Sequence, residues 1–140
     1  MSHIDYTNNI YDKVITNLRK TLGNELKVPI YLDDHKGASS IVIIPVEDTL
    51  VEIFANGQQR DVSILLEYEL NVGGMMNAKH FKQVSNIAEH IKRLFAPDNN
   101  NRDGTDYFGG RVESITYEKD EEEAKFRANI NLTVTIFEAA

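Results

Sequence analysis

Cysteine is absent from the 140 residues. Disulfides, thiolate metal sites and cysteine nucleophiles are therefore excluded together. Long apolar runs are absent as well. The longest, Ile41 to Val46, falls far short of the roughly 20 residues a membrane helix needs. The opening Met1-Ser2-His3-Ile4-Asp5 has no basic segment ahead of an apolar one, so no signal peptide is expected. Positive charge is scarce: 15 Lys and Arg face 22 Asp and Glu, for a net charge of −7. A nucleic-acid binder needs a basic patch to meet phosphates, and none is visible in the sequence. The acidic balance suits solubility and a surface that does not hold DNA. A protein made and used in solution is expected, with no membrane partner.

Apolar residues make up 41% of the chain and charged residues 26%, which places it with ordinary globular proteins rather than disordered ones. A chain of this length buries roughly two-thirds of its unfolded surface, enough for one core. No linker or internal repeat divides it, so residues 1–140 are expected to form a single α+β domain.

Periodicity gives the elements. Ile10, Tyr11, Val14, Ile15, Leu18 and Leu22 share one face of a helix expected over Asp5 to Leu22. Asp5 or Thr7 would cap its start and Gly23 its end. Val28 to Leu32 reads as a short strand that Pro29 confines to an edge. Two further strands, Ser40 to Val46 and Thr49 to Phe54, follow, with Pro45 marking an edge or bulge. Asn56-Gly57 is a turn dipeptide opening a hairpin into Arg60 to Leu70. There Val62, Ile64, Leu66, Tyr68 and Leu70 alternate with Asp61, Ser63, Glu67 and Glu69. Asn77 is placed to cap a second helix, Ala78 to Phe95, with an apolar stripe of Phe81, Val84, Ile87, Ala88, Ile91, Leu94 and Phe95. Pro97 would end it. Asp98 to Gly110 reads as a loop, Arg111 to Tyr117 as a strand and Glu118 to Glu123 as an acidic turn. Phe126 to Phe137 alternates throughout. The expected fold class is α+β: a mainly antiparallel mixed sheet with two amphipathic helices packed on one face.

Chemistry-bearing constellations are few. Asn99, Asn101, Asp103 and Gly104 carry the first spacings of a calcium loop. Yet Gly110 stands where a bidentate Glu belongs, and a strand follows instead of a helix. His35 lies beside Asp33 and Asp34, while His80 and His90 fall on different faces of one helix. No serine sits in a nucleophile-elbow pattern, and Glu67 and Glu69 read as a solvent-facing strand edge with nothing apolar to raise a pKa. No metal, no cofactor and no catalytic residue is expected. Two features stand out beyond a plain surface. The acidic cluster Glu118, Asp120, Glu121, Glu122 and Glu123, with Lys119, is a solvated tip or an arm that orders against a partner. The outer positions of the last strand, Asn129, Asn131, Thr133 and Thr135, are compact and uncharged. They suit either a solvent face or a surface packed against a neighbouring subunit or channel.

The order of these elements resembles the tail terminator (tail completion) proteins of long-tailed bacteriophages. An amphipathic N-terminal helix leads into a short strand, Lys27-Val28-Pro29-Ile30-Tyr31-Leu32. A long hairpin strand, Gln59 to Leu70, precedes the second helix. A final hairpin turns through Tyr117-Glu118-Lys119-Asp120-Glu121-Glu122-Glu123 and closes on Phe126 to Phe137. Size and acidity are similar too. The resemblance implies a homohexameric ring in the virion, at the head-proximal end of the tail. Such a ring would stop the tail tube protein from polymerising, meet the head connector or neck protein, and let DNA through without specific binding. Interface candidates are Glu67, Glu69, Asn129, Asn131, Thr133 and Thr135, at subunit contacts or the lumen. Asp120, Glu121 and Glu122 at the tip, with Arg102 and Asp103 in the Asn-rich loop, would be docking elements that order on assembly. A neck or head-completion protein and a non-catalytic cytosolic binding module are the alternative readings.

Overall fold

A computed structural model of the chain describes residues 8–95 and 108–139. The chain opens with a π-helical segment, Ile10–Ile15, that runs directly into helix α1, Thr16–Glu25. Val14, Ile15, Leu18 and Leu22 are its buried residues, on the face that periodicity selects. The proposed caps Asp5 and Thr7 lie outside the described residues. Gly23 does not end the helix. The chain continues helically to Glu25, and the Leu26 amide closes the last turn on the Leu22 carbonyl at 2.8 Å. Leu26 is itself buried, so the extra turn delivers another apolar side chain to the core.

Five strands follow: β1 Ile30–Tyr31, β2 Ser39–Phe54, β3 Gly57–Asn71, β4 Phe108–Asp120 and β5 Lys125–Ala139. Helix α2, Ala78–Leu94, lies between β3 and β4 in sequence. The strand order is β1-β2-β3-β5-β4. All pairs are antiparallel except β1 with β2, which is parallel. That one departs from the rule that sequence neighbours pair antiparallel. Only Ile30 and Tyr31 take part, so a short loop suffices for the return.

The two expected strands over residues 40–54 are one. Register shifts after Pro45 and after Leu50 absorb Val46 and Val51 as bulges, and the ladder with β3 continues through both. The hairpin loop is Ala55-Asn56, one residue earlier than the expected Asn56-Gly57 turn, because Phe54 already pairs with Gly57. Gly57 is required for close approach. A Cβ there would strike the Glu138 carbonyl and the Phe137 ring. β4 also exceeds its sequence boundaries at both ends. Phe108 to Gly110 are strand rather than loop, and the turn is confined to residues 121–124, with Ala124 at φ 52°.

The core lies between one face of the sheet and the two helices. Ile41, Ile43, Val62, Ile64, Leu66, Tyr68 and Leu70 join Phe126, Ala128, Ile130, Leu132, Val134 and Ile136 from the sheet. Val14, Leu18 and Leu22 of α1 and Val84, Ala88, Ile91 and Leu94 of α2 complete it. The inward positions of the alternation in β3 and β5 are thus borne out, while the outward Glu69, Thr133 and Thr135 are buried as well. Asn77 caps α2 as expected: its Oδ1 accepts the Lys79 amide at 2.9 Å, and its own amide donates to His80 Nδ1 at 3.1 Å. Phe81 departs from the expected stripe. It is half exposed, stacking between Tyr117 and Phe126 at the rim. Among the described residues no helix is long and apolar enough to cross a membrane.

Candidate functional site

The helices cover only one face of the sheet. Among the described residues no helix covers the opposite face, and all the described interface candidates fall on it or at its end. Cross-strand register sets Glu69 against Arg127, Glu67 against Asn129, Ser63 against Thr133 and Asp61 against Thr135. Arg102 and Asp103 lie outside the described residues, as does the Asn99 to Gly104 loop.

Placement corrects the reading of Glu67 and Glu69 as a solvent-facing edge. β3 lies between β2 and β5, and Glu69 is only 8% exposed. Arg127 is its partner, with Nε 2.9 Å from Glu69 Oε2, and Lys125 Nζ stands 3.4 Å from Oε1. The same guanidinium reaches Glu118 at 3.8 Å, Asp120 at 3.9 Å and Glu123 at 3.6 Å. One arginine therefore gathers carboxylates from β3, β4 and the acidic turn. The turn is further closed by the Glu123 amide on Asp120 Oδ1 at 3.1 Å. These contacts tie the turn to the sheet within the single chain.

Burial pushes the Glu69 carboxyl up, but the Arg127 hydrogen bond and the charges of His35, Lys125 and Arg127 together hold it below its ordinary 4.5. A carboxylate with a depressed folded pKa stabilises fully above the unfolded value and loses that contribution as pH falls through the folded one. Acid unfolding of the wild type should therefore steepen below about pH 4.5. Glu69→Gln should flatten that limb in a urea-midpoint series against pH. An unchanged acid limb would show that Glu69 is not the group responsible.

The compact residues of β5 are tied laterally into its neighbours. Asn129 Nδ2 donates to Glu118 at 2.7 Å, Asn131 Nδ2 to Ser114 Oγ at 2.8 Å and Thr135 Oγ1 to Asp61 at 2.8 Å. Arg111 arches from β4 to Asp61 on β3 at 3.3 Å. Thr133 and Thr135 are buried, and Asn131 is exposed. β5 is a central strand, so its outer positions are crowded from both sides.

Beside this network lies a cluster that sequence reasoning missed. His35, in the loop after β1, folds back over the open face. Its Nδ1 is 2.7 Å from Ser40 Oγ and its Nε2 is 2.8 Å from Glu67 Oε1. A serine, an imidazole and a carboxylate in line have the composition of a nucleophile relay. Here Ser40 is 1% exposed and its oxygen also accepts the Lys36 amide at 3.3 Å. The oxygen has no open side towards a substrate. His35, Glu67 and Glu69 also bring ligand atoms within 4.8 Å of one another. A cation there would compete with Arg127 and Lys125 for Glu69. The geometry is that of a latch holding the loop to the sheet. His35→Ala should cost about 1–2 kcal/mol, because it leaves Ser40 and Glu67 short of a partner. The loss should appear as faster amide exchange over residues 33–38. Sequence spacing gave no hint of this, since it depends on the pairing of Ser40 with Glu69 and Val42 with Glu67 across β2 and β3.

The remaining surface feature is the far end of the β2–β3 hairpin. β1 pairs only with Ile41 and Val42, so among the described residues β2 beyond them has an unpaired edge. Residues 44–54 are exposed along their whole length. They include Val46 at 61% and Ile53 at 72%, with Leu50, Val51 and Phe54 also exposed.

No family model matches the chain, and no curated protein matches it in sequence. The solved structures do offer a match. A chain from the virion of a native gene transfer agent particle superposes with a TM-score of 0.64. The two share a fold. The match covers 94% of this chain and 100% of that one, at 8% identity.

Proposed function

We propose that the chain is a structural protein of a phage-like virion, a tail terminator that caps the tail tube as a homohexameric ring and joins it to the head connector. The observation that carries this reading is the fold shared with a virion chain over nearly the full length of both. Two further features support it. Among the described residues the sheet has unpaired edges on opposite sides, β4 at one end and β2 beyond β1 at the other. Different surfaces of one subunit can then meet head to tail, and a rotation that closes gives a ring. Among the described residues the buried carboxylate and the histidine beside it spend their atoms on holding strands and a loop together. DNA would pass through the ring unbound, and the net charge of −7 would spare it phosphate contacts. The acidic turn at residues 121–124 would face the head-side partner.

Removing the chain from a phage that carries it distinguishes the possibilities by electron microscopy. A terminator leaves tails of uncontrolled length and unjoined heads. Tails of normal length with unjoined heads would make it a neck protein. Intact particles would contradict both.

A further inference from the structure

The exposed hairpin end and the outer surface of α1 are complementary. Within the chain Phe54 packs on Phe137, Asp48 pairs with Arg60 and Glu25 of α1 lies 3.7 Å from His90, but most of both surfaces stays exposed. The hairpin end, residues 44–54, presents apolar side chains beside Glu47 and Glu52. Glu52 has no ion-pair partner among the described residues. An exposed edge of this composition invites backbone pairing by any strand. Pro45 has no N–H to offer and the two bulges in β2 twist the strand locally, so recognition falls to the side chains.

α1 shows the opposite character. In a chain of net charge −7, its outer surface exposes Arg19 and Lys20, with Lys27 just beyond its end. None of the three makes an ion pair with a described residue. Between them sits Gly23, inside the helix and exposed. A helical glycine is less stable than alanine, and it is kept where the backbone turns left-handed or something approaches closely. Gly23 is not among the glycines of positive φ. Among the described residues, a Cβ added there would meet nothing within 4 Å. Nothing in the described residues calls for a glycine at this position.

We propose that the hairpin end of one copy docks on α1 of a second copy, with Glu47 and Glu52 facing Arg19, Lys20 and Lys27 and an apolar side chain of the hairpin seated over Gly23. The charge pattern selects this orientation. Copies of net negative charge repel in most approaches, and acidic hairpin against basic helix is an attractive one. The two surfaces lie on different elements of each subunit, so the contact is head to tail and leaves a free hairpin and a free helix for the next copy. This proposal rests on the ring reading above and specifies the contact that builds it.

Charge-swap variants test it, read by sedimentation velocity across concentration with thermal unfolding as the control for folding. Glu47→Lys with Glu52→Lys, and separately Arg19→Glu with Lys20→Glu, should each weaken self-association about tenfold or more. An equimolar mixture of the two should restore it, because each variant then meets its complement on both sides. Gly23→Gln should block association while leaving the unfolding midpoint unchanged or raised. Association indifferent to every variant would overturn this contact and leave the ring reading standing. A wild type that stays monomeric at all concentrations would overturn both. Should the Arg19 and Lys20 reversal spare association but abolish retention of duplex DNA, the basic surface serves nucleic acid and the proposal fails.

Discussion

Arg127→Met should destabilise the fold by about 3 kcal/mol, the range seen when one partner of a buried ion pair is removed. The reason is Glu69. Its carboxylate is nearly buried, and the guanidinium 2.9 Å away supplies its strongest hydrogen bond. Met keeps much of the Arg127 stem's packing and removes only the charge and the donors. Lys125 would remain on the other oxygen at 3.4 Å, which keeps the loss from growing further. Adding Glu69→Gln to Arg127→Met should recover a large part of it, since a neutral amide is less costly to bury than a lone carboxylate. Urea unfolding of the two singles and the double closes the cycle. Strict additivity would show that the two side chains do not act as a pair. The acidic turn should loosen as well, because Glu118, Asp120 and Glu123 converge on the same guanidinium.

Gly57→Val should cost a similar amount, about 3 kcal/mol, by a different route. Gly57 holds φ 154° and lies against the Glu138 carbonyl and the Phe137 ring. A branched side chain there strains the backbone and collides with a main-chain atom that cannot rotate away. The hairpin end is fixed at this residue, where Gly57 pairs with both Phe54 and Ala139. Amide exchange should therefore quicken first over residues 52–59 and the end of β5. Global destabilisation with an undisturbed hairpin end would contradict this account. If the hairpin is also the assembly contact, association should fall more steeply than stability.

The parts of this fold that were legible in the sequence are those with an uninterrupted period. β5 alternates from Phe126 to Ile136 without a break, and α2 has both a period and a capping residue. What resisted reading depends on contacts between distant segments. The bulges after Pro45 and Leu50 break the alternation of β2, so one long strand looks like two. Gly23 carries the composition of a helix end, yet the burial of Leu26 extends the helix past it. Glu69 looks like a surface residue beside Glu67. Its burial follows from the strand order, which places β3 between β2 and β5. The His35 latch needs the β2–β3 register before Ser40 and Glu67 can be seen as neighbours. The exposure of Val46 and Ile53 was equally hidden, because Ile- and Val-rich strands read as buried ones wherever they end up.

The proposed function requires copies of this chain to close into a ring. The most direct test is the solution mass of the purified chain by light scattering across a wide concentration range. A discrete six-subunit species, stable on dilution, is the predicted result. A monomer throughout, or an open-ended series of larger species with no preferred size, would contradict it.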